Sequence, residues 1–236
     1  MKSLIMLATT LAASTSLLAA DPTGKDDVKN AAQKLAAADN YSWTTTTESP
    51  QFNPGPSHGK TEKGGYTYVD FTMQDNTIEA VVKAGRGAIK TEDGWQSLTE
   101  AAKDNGEGGF NPRMFLARRM QNYKAPAAQA EEIAGNAKDL AKSDNIYSGD
   151  LTEEGAKSLM TFGRRGGGQG PAISNAKGAV KFWIKDGVLT KYQFKVQGTM
   201  KRDGEDMDID RTTTVEIKDV GATKITVPEE AKKKMS

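Results

Sequence analysis

The residues able to do chemistry are few and scattered. His58 is the only histidine and there is no cysteine, so a nucleophilic triad would have to rest on a side chain set in the turn-rich stretch "SPQFNPGPSHG". A thiolate nucleophile, a disulfide, a Cys-based metal site and a lipobox anchor are all excluded. The carboxylates of "DGEDMDID" lack the Asp-x-Asp-x-Asp-Gly spacing of a calcium loop, and Asp208 and Asp210 fall on one phase of an alternating strand. "FGRRGGGQG" offers glycine amides beside Arg164 and Arg165, an anion nest or a glycine-rich connector. "GRG" at residues 85–87 has no helix after it and reads as a hairpin turn rather than a phosphate loop. No set of convergent polar groups emerges, and the chain is expected to be neither an enzyme nor a cofactor carrier.

Composition narrows the partner. A net charge of +1 across 236 residues, with 27% charged and 36% apolar, gives no basic footprint for nucleic acid and enough apolar side chain for a core. The opening "MKSLIMLATTLAASTSLLAADP" has a positive start, a diluted apolar run and small residues at its exit, the pattern of a secretory signal peptide cut after Ala20. The expected organisation is a leader over residues 1–20 and one domain over 21–236, periplasmic or secreted and not membrane-spanning once cleaved.

Hydrophobic periodicity then assigns the elements. Val28, Ala31, Ala32 and Leu35 repeat at helical spacing over residues 25–39, with Asp26 and Asp27 in the first turn. "YSWTTTTE" is a strand, and residues 64–98 form a meander of short strands. Asn111-Pro112 opens a helix to Tyr123, and Pro126 opens a second that carries Ala130, Ile133, Ala134, Ala137, Leu140 and Ala141 on one face. "NIYSGDL" is a short strand, and Thr152 caps a helix with Glu153 and Glu154 in its first turn. Two long strands follow in "AVKFWIKDGVLTKYQFKVQGTM". A three-residue turn Lys185-Asp186-Gly187, with Gly187 left-handed, keeps one face apolar by pairing Ile184 with Val188 and Val180 with Tyr192. Met207, Ile209, Val215 and Ile217 continue that face in a last strand, with Arg211 on the same inward phase. The result is an α+β fold: a curved antiparallel sheet, wet outside, whose apolar face the alanine-rich mid-chain helices cover.

On the inward phases, Val69, Phe71, Met73, Ile78 and Val82 come from the meander. Phe182, Ile184, Tyr192, Phe194 and Val196 come from the long hairpin. These residues suit first an ordinary filled core and second a wall for apolar cargo, to which methionine adapts well.

The order of parts, together with "IYSGDLTEEGAKSL", the hairpin "FWIKDGVLTKYQFKV" and the closing "ITVPEEAKK", whose "ITVP" reads as a terminal strand, resembles the LolA-like superfamily, which includes periplasmic lipoprotein carriers, LppX/LprG-type mycobacterial lipoproteins and envelope sensors. The resemblance implies an incomplete antiparallel barrel, concave and apolar inside, closed by a helical lid, with the inward residues above as its ligand-binding wall. The implied partner is a lipid, an acyl chain or a lipidated protein, with other envelope proteins as a second class. This chain departs from the lipoprotein members in lacking the lipobox cysteine. Two functions stay open: a carrier with a cavity, and an interaction or sensor module of the same fold with a filled interior. The leader predicts a mature chain beginning at Asp21, and N-terminal sequencing of exported protein that finds Met1 retained overturns that cleavage.

Overall fold

The computed structural model describes residues 23–50, 54–73, 76–103, 111–161, 172–202 and 204–235. The leader and the glycine-rich segment 162–171 lie outside them. Helix α1 (Gly24–Ala37) starts from a capping box in which Thr23 and Asp26 satisfy each other's backbone amides, and it buries Val28, Ala31, Ala32 and Leu35. Strand β1 (Asn40–Glu48) follows, then β2 (Ser57–Glu62), β3 (Thr67–Met73), β4 (Asn76–Lys83), β5 (Arg86–Thr91) and β6 (Gly94–Ser97). A helical run comes next: α2 (Leu98–Ala101), α3 (Pro112–Gln121) and α4 (Pro126–Gly135). After β7 (Ala141–Ser143), β8 (Ile146–Asp150) and α5 (Glu153–Met160), the chain makes the long strands β9 (Ala172–Lys185), β10 (Val188–Arg202) and β11 (Glu205–Lys218), then α6 (Glu229–Lys234).

The described strands form one eleven-stranded sheet in the order β6-β5-β4-β3-β2-β1-β11-β10-β9-β8-β7. Every pairing in it is antiparallel, and its end strands β6 and β7 do not meet. The sheet is therefore an incomplete barrel, as expected. One face carries a continuous core in which α1, α4 and α5 lie against β9 and β10 or against each other, and α3 lies against β4 and β5.

The long hairpin corrects the expected turn. Lys185 pairs with Val188, so the turn is the two residues Asp186-Gly187, both left-handed at φ 54° and 74°. That is the backbone of a type I′ turn, whose twist matches the strands it joins. Ile184 pairs with Leu189, and the register then slips at Thr190, so that Phe182 faces Tyr192 and Val180 faces Phe194. The bulge puts Leu189 and Tyr192 on one face, both fully buried. A tight turn and an apolar face are thus compatible, because one extra residue restores the phase that the turn disturbs.

Other differences have equally local causes. His58 lies in β2, not in a loop: Ser57 to Glu62 carry no proline and pair with both β1 and β3. The second mid-chain helix stops at Gly135, and Ala141 belongs to the exposed strand β7. The closing "ITVP" is not a strand. It leads into α6, and Val227, Ala231 and Met235 bury Val81, Ala88 and Trp95 on the outer face of β4 to β6. That outer face is thus partly dry, where alternation predicts a wet one.

Gly187→Ala is expected to lower stability by about 1 kcal/mol, since a Cβ is disfavoured at positive φ. The added methyl would meet only the tip of Lys34, at 2.7 Å, which can swing away. An unchanged denaturation midpoint would contradict the left-handed turn.

Candidate functional site

Paired residues in an antiparallel sheet point to the same side, so the register assembles the concave surface row by row. One row runs Ile78, Phe71, Ser57, Thr45, Val215, Tyr192, Phe182, Tyr147 across β4, β3, β2, β1, β11, β10, β9 and β8. The next, towards the β10–β11 turn, includes Thr47, Thr213, Phe194 and Val180. Beyond it come Arg211 with Val196, Ile209 with Gly198, and Met207 with Met200 and Ile173. On the opposite side of the first row lie Val69, Gly59 and Trp43.

The structure brings the expected wall residues onto this one face but covers them unequally. Phe182, Tyr192 and Val196 are fully buried, and Phe194 and Val69 nearly so. Phe71, Ile78, Val82 and Ile184 are half-buried at the margin of the same core. Met73 ends β3 opposite Asn76. Between the two groups the face is polar, with Thr45, Thr47 and Thr213, the last two hydroxyls 3.5 Å apart. Periodicity found the apolar members. It did not find Trp43, whose indole fills the hollow above Gly59: a Cβ there would sit 2.0 Å from the ring.

Polar atoms fasten the helices to this face. The Tyr41 hydroxyl accepts from the Ala127 amide at 3.4 Å, in the first turn of α4, where Ala125 supplies no side-chain cap. Tyr192 donates to Gln129 Oε1 at 2.5 Å, and Tyr147 donates to Asp27 of α1 at 2.9 Å. Tyr123 stacks on Trp43 with ring centroids 6.5 Å apart. Burial pushes the Tyr41 hydroxyl up to about 12 and also raises those of Tyr123 and Tyr192 above the ordinary phenol value. All three remain neutral at ordinary pH.

Two arginines flank the half-buried margin. Arg119 of α3 lies over the Phe71 ring, 5.7 Å from its centroid, and burial holds its pKa down. Arg211 donates from Nη2 to the Leu159 carbonyl of α5 at 2.6 Å. Burial, then repulsion from Arg119, brings its pKa to about 10, so it stays charged at neutral pH. The sequence marked Arg211 by its inward phase but gave no sign of Arg119.

The remaining candidates dissolve into surface. His58 is exposed with Nδ1 3.3 Å from Thr44 Oγ1, and its amide donates to Asp70. Asp208 and Asp210 take the outward phase and face Thr199 and Gln197. Among the described residues, no three His, Asp or Glu side chains gather around a metal position, and no helix is long and apolar enough to cross a membrane. A hollow of about 230 Å³ between the β3–β4 end and α3 includes Val82, Met120 and Tyr123. A second, of about 330 Å³, lies outside the concave face, where β1 leaves β11.

No protein-family model matches the chain, and no curated protein does. Among solved structures it is similar to LprF from Mycobacterium bovis, with 11% identity and a TM-score of 0.43 over 88% of this chain and 97% of that one. It is also similar to a LolA superfamily protein from Nitrosomonas europaea, with 10% identity and a TM-score of 0.36 over 86% of this chain and 95% of that one.

Gly59→Ala is expected to destabilise the fold by about 1–3 kcal/mol, because Trp43 must leave its rotamer or the strands must part. Trp43 fluorescence read alongside denaturant unfolding checks this, and a wild-type midpoint and spectrum would contradict the close approach.

Proposed function

We propose that this chain is an exported, non-enzymatic binding protein that holds the acyl chain of a lipid or of a lipidated partner on its concave face. One observation carries the reading: the apolar face extends past its helical cover. Phe71, Ile78, Ile173, Met200 and Ile209 are half-buried, and Met207 is 41% exposed, on the same phase as the fully buried Tyr192 and Val196. Apolar surface left in that position favours an apolar ligand, and flexible methionines suit chains of variable shape. On this reading the chain enters at the end of the half-barrel nearest the β10–β11 turn, between α3 and α5, and the wall is its marginal part. Leader cleavage would place the protein in the periplasm or outside the cell.

The completeness of the central packing favours a second reading, an envelope interaction or sensor module with a filled interior. Phe182, Tyr192 and Val196 have no exposed surface, and Trp43 occupies the hollow over Gly59.

The two readings separate by experiment on delipidated protein. Phe194→Ala removes a ring from the packed centre and is expected to cost about 3–5 kcal/mol under either. Phe71→Ala, at the margin, is expected to cost about 1–2 kcal/mol and to weaken binding of a fluorescent fatty-acid probe. If the wild type binds no probe and the organic extract of protein from its native envelope contains no lipid, the carrier reading falls and the interaction module stands.

A further inference from the structure

The turn between β4 and β5 breaks two local rules at once. Its closing pair is Lys83 with Arg86, two cations directly opposite each other across the ladder, where like charges repel. Its first residue, Ala84, is left-handed at φ 49°, and Gly85 follows at 78°. The other non-glycine residues with positive φ among those described are Asp144, Asn175, Asp186 and Asp219, whose short polar side chains tolerate that conformation. Alanine has no such compensation. An aspartate at this position would suit the backbone and offset the paired cations, yet the chain keeps a small apolar residue there. Local conflicts of this kind gather where a ligand is held.

That turn borders the hollow of about 230 Å³, which Lys83, Ala84 and Gly85 line together with Val82, Met120 and Tyr123. The chain around it is described throughout, over residues 62–67, 82–86 and 120–125. The three turn residues are exposed and form the mouth, while Met120 is buried and forms the floor. The walls are tied to the fold: Tyr123 stacks on Trp43, the Thr67 and Thr61 hydroxyls are 2.8 Å apart, and Gln121 Nε2 donates to the Leu98 carbonyl at 3.3 Å. Lys83 Nζ rests over the Tyr66 ring, 4.6 Å from its centroid. An ammonium held on a ring face keeps N–H donors for an anion. No carboxylate lines the hollow among the described residues, and Glu62, beside Gly65, takes the outward phase of β2. The space is thus apolar within and basic at its mouth.

We propose that this hollow is a second binding site, for a small aromatic carboxylate whose ring lies against Val82, Met120 and Tyr123 and whose charge meets Lys83 and Arg86. Size sets the limit: an apolar cavity of about 150 Å³ holds benzene, so this one takes roughly nine heavy atoms, too few for a long acyl chain. A thioether and a phenol ring favour an aromatic body. The anion relieves the repulsion between the paired cations, and alanine at 84 keeps a competing carboxylate away from the mouth. The site is separate from the acyl site proposed above, because the buried pair Val69 and Ala80 stands between the row of Thr67 and Val82 and the row of Phe71 and Ile78. It stands whether or not lipid is bound.

The probe is benzoate, titrated into the full mature chain while amide and methionine methyl resonances are followed by NMR, with neutral benzamide as its control. Shifts centred on the Met120 methyl and the amides of residues 82–86 and 121–125 are expected, and weaker binding of benzamide. K83Q/R86Q, which changes two exposed side chains, is expected to weaken benzoate binding about fivefold and to leave benzamide as it was. A84D is expected to bind benzoate about fivefold more weakly than A84N, its isostere, since both suit the left-handed backbone and only one carries a charge. The proposal is overturned by no benzoate binding at millimolar concentration, by shifts centred elsewhere, by benzamide binding as tightly as benzoate, or by equal binding to A84D and A84N. Displacement of a bound fluorescent fatty-acid probe by benzoate would also overturn it, since that places benzoate in the acyl site.

Discussion

The constraint on which the rest depends is one-sided burial by a sheet that does not close. An open antiparallel sheet with long strands has one apolar face, and without a second sheet that face must be covered by helices. Here the cover is thin. The buried faces of α1 and α4 are mostly alanine, with Val28, Leu35 and Ile133 as the larger side chains. Small faces let the helices lie close to one another and to the aromatic rows beneath, so the bulk that fills the interior comes from the sheet: Trp43, Phe182, Tyr192 and Phe194. Glycine at 59 belongs to the same arrangement, since the indole that rises from β1 needs a strand without a side chain beside it.

A thin cover held only by apolar contact would be free to slide, and tyrosine hydroxyls fix its position. Each of Tyr41, Tyr147 and Tyr192 offers a buried ring to the core and a hydroxyl to one helix, giving α4 two fixed points and α1 one. A phenol suits this work because it is a neutral group, so no charge has to be desolvated. The arginines are different. Arg119 and Arg211 keep their charge at the margin of the apolar surface, where one lies over an aromatic face and the other ties β11 to the end of α5. The interior thus passes from neutral hydrogen bonds at its centre to cations at its rim.

Much of this was legible in the sequence, and the exceptions share a cause. Periodicity located α1, α3, α4, α5 and the long strands because each repeats its apolar residues over several turns or pairs. It placed Phe182, Tyr192, Phe194 and Val196 on one face correctly. It failed where one residue changes the phase: Thr190, as a bulge, lets a type I′ turn coexist with an apolar face, and a strict period of two has no place for it. It failed again where partners are distant in sequence. His58 looked like a loop residue because the prolines before it dominate the local pattern, yet β1 and β3 recruit it into a strand. Val227 and Ala231 looked like the end of a strand and its tail, and what they cover, Val81 and Trp95, is far away in the chain. The degree of cover over each wall residue was out of reach for the same reason, since it depends on where α3 and α5 settle.

The hairpin formed by β10 and β11 shows how a period of two separates functions on one element. From Asp206 to Arg211, residues of even number in β11 face outward and are acidic, and those of odd number face inward and are apolar or, at Arg211, cationic. A change to an outer aspartate alters the outer electrostatics and leaves the inner surface as it was, and a change to Ile209 does the reverse. Beneath both faces lies the ladder to β10, which runs without a register slip from Lys191 with Glu216 to Arg202 with Glu205. That regular ladder carries an apolar inner surface and a charged outer one at once, because neither set of side chains uses the backbone hydrogen bonds that hold the strands together.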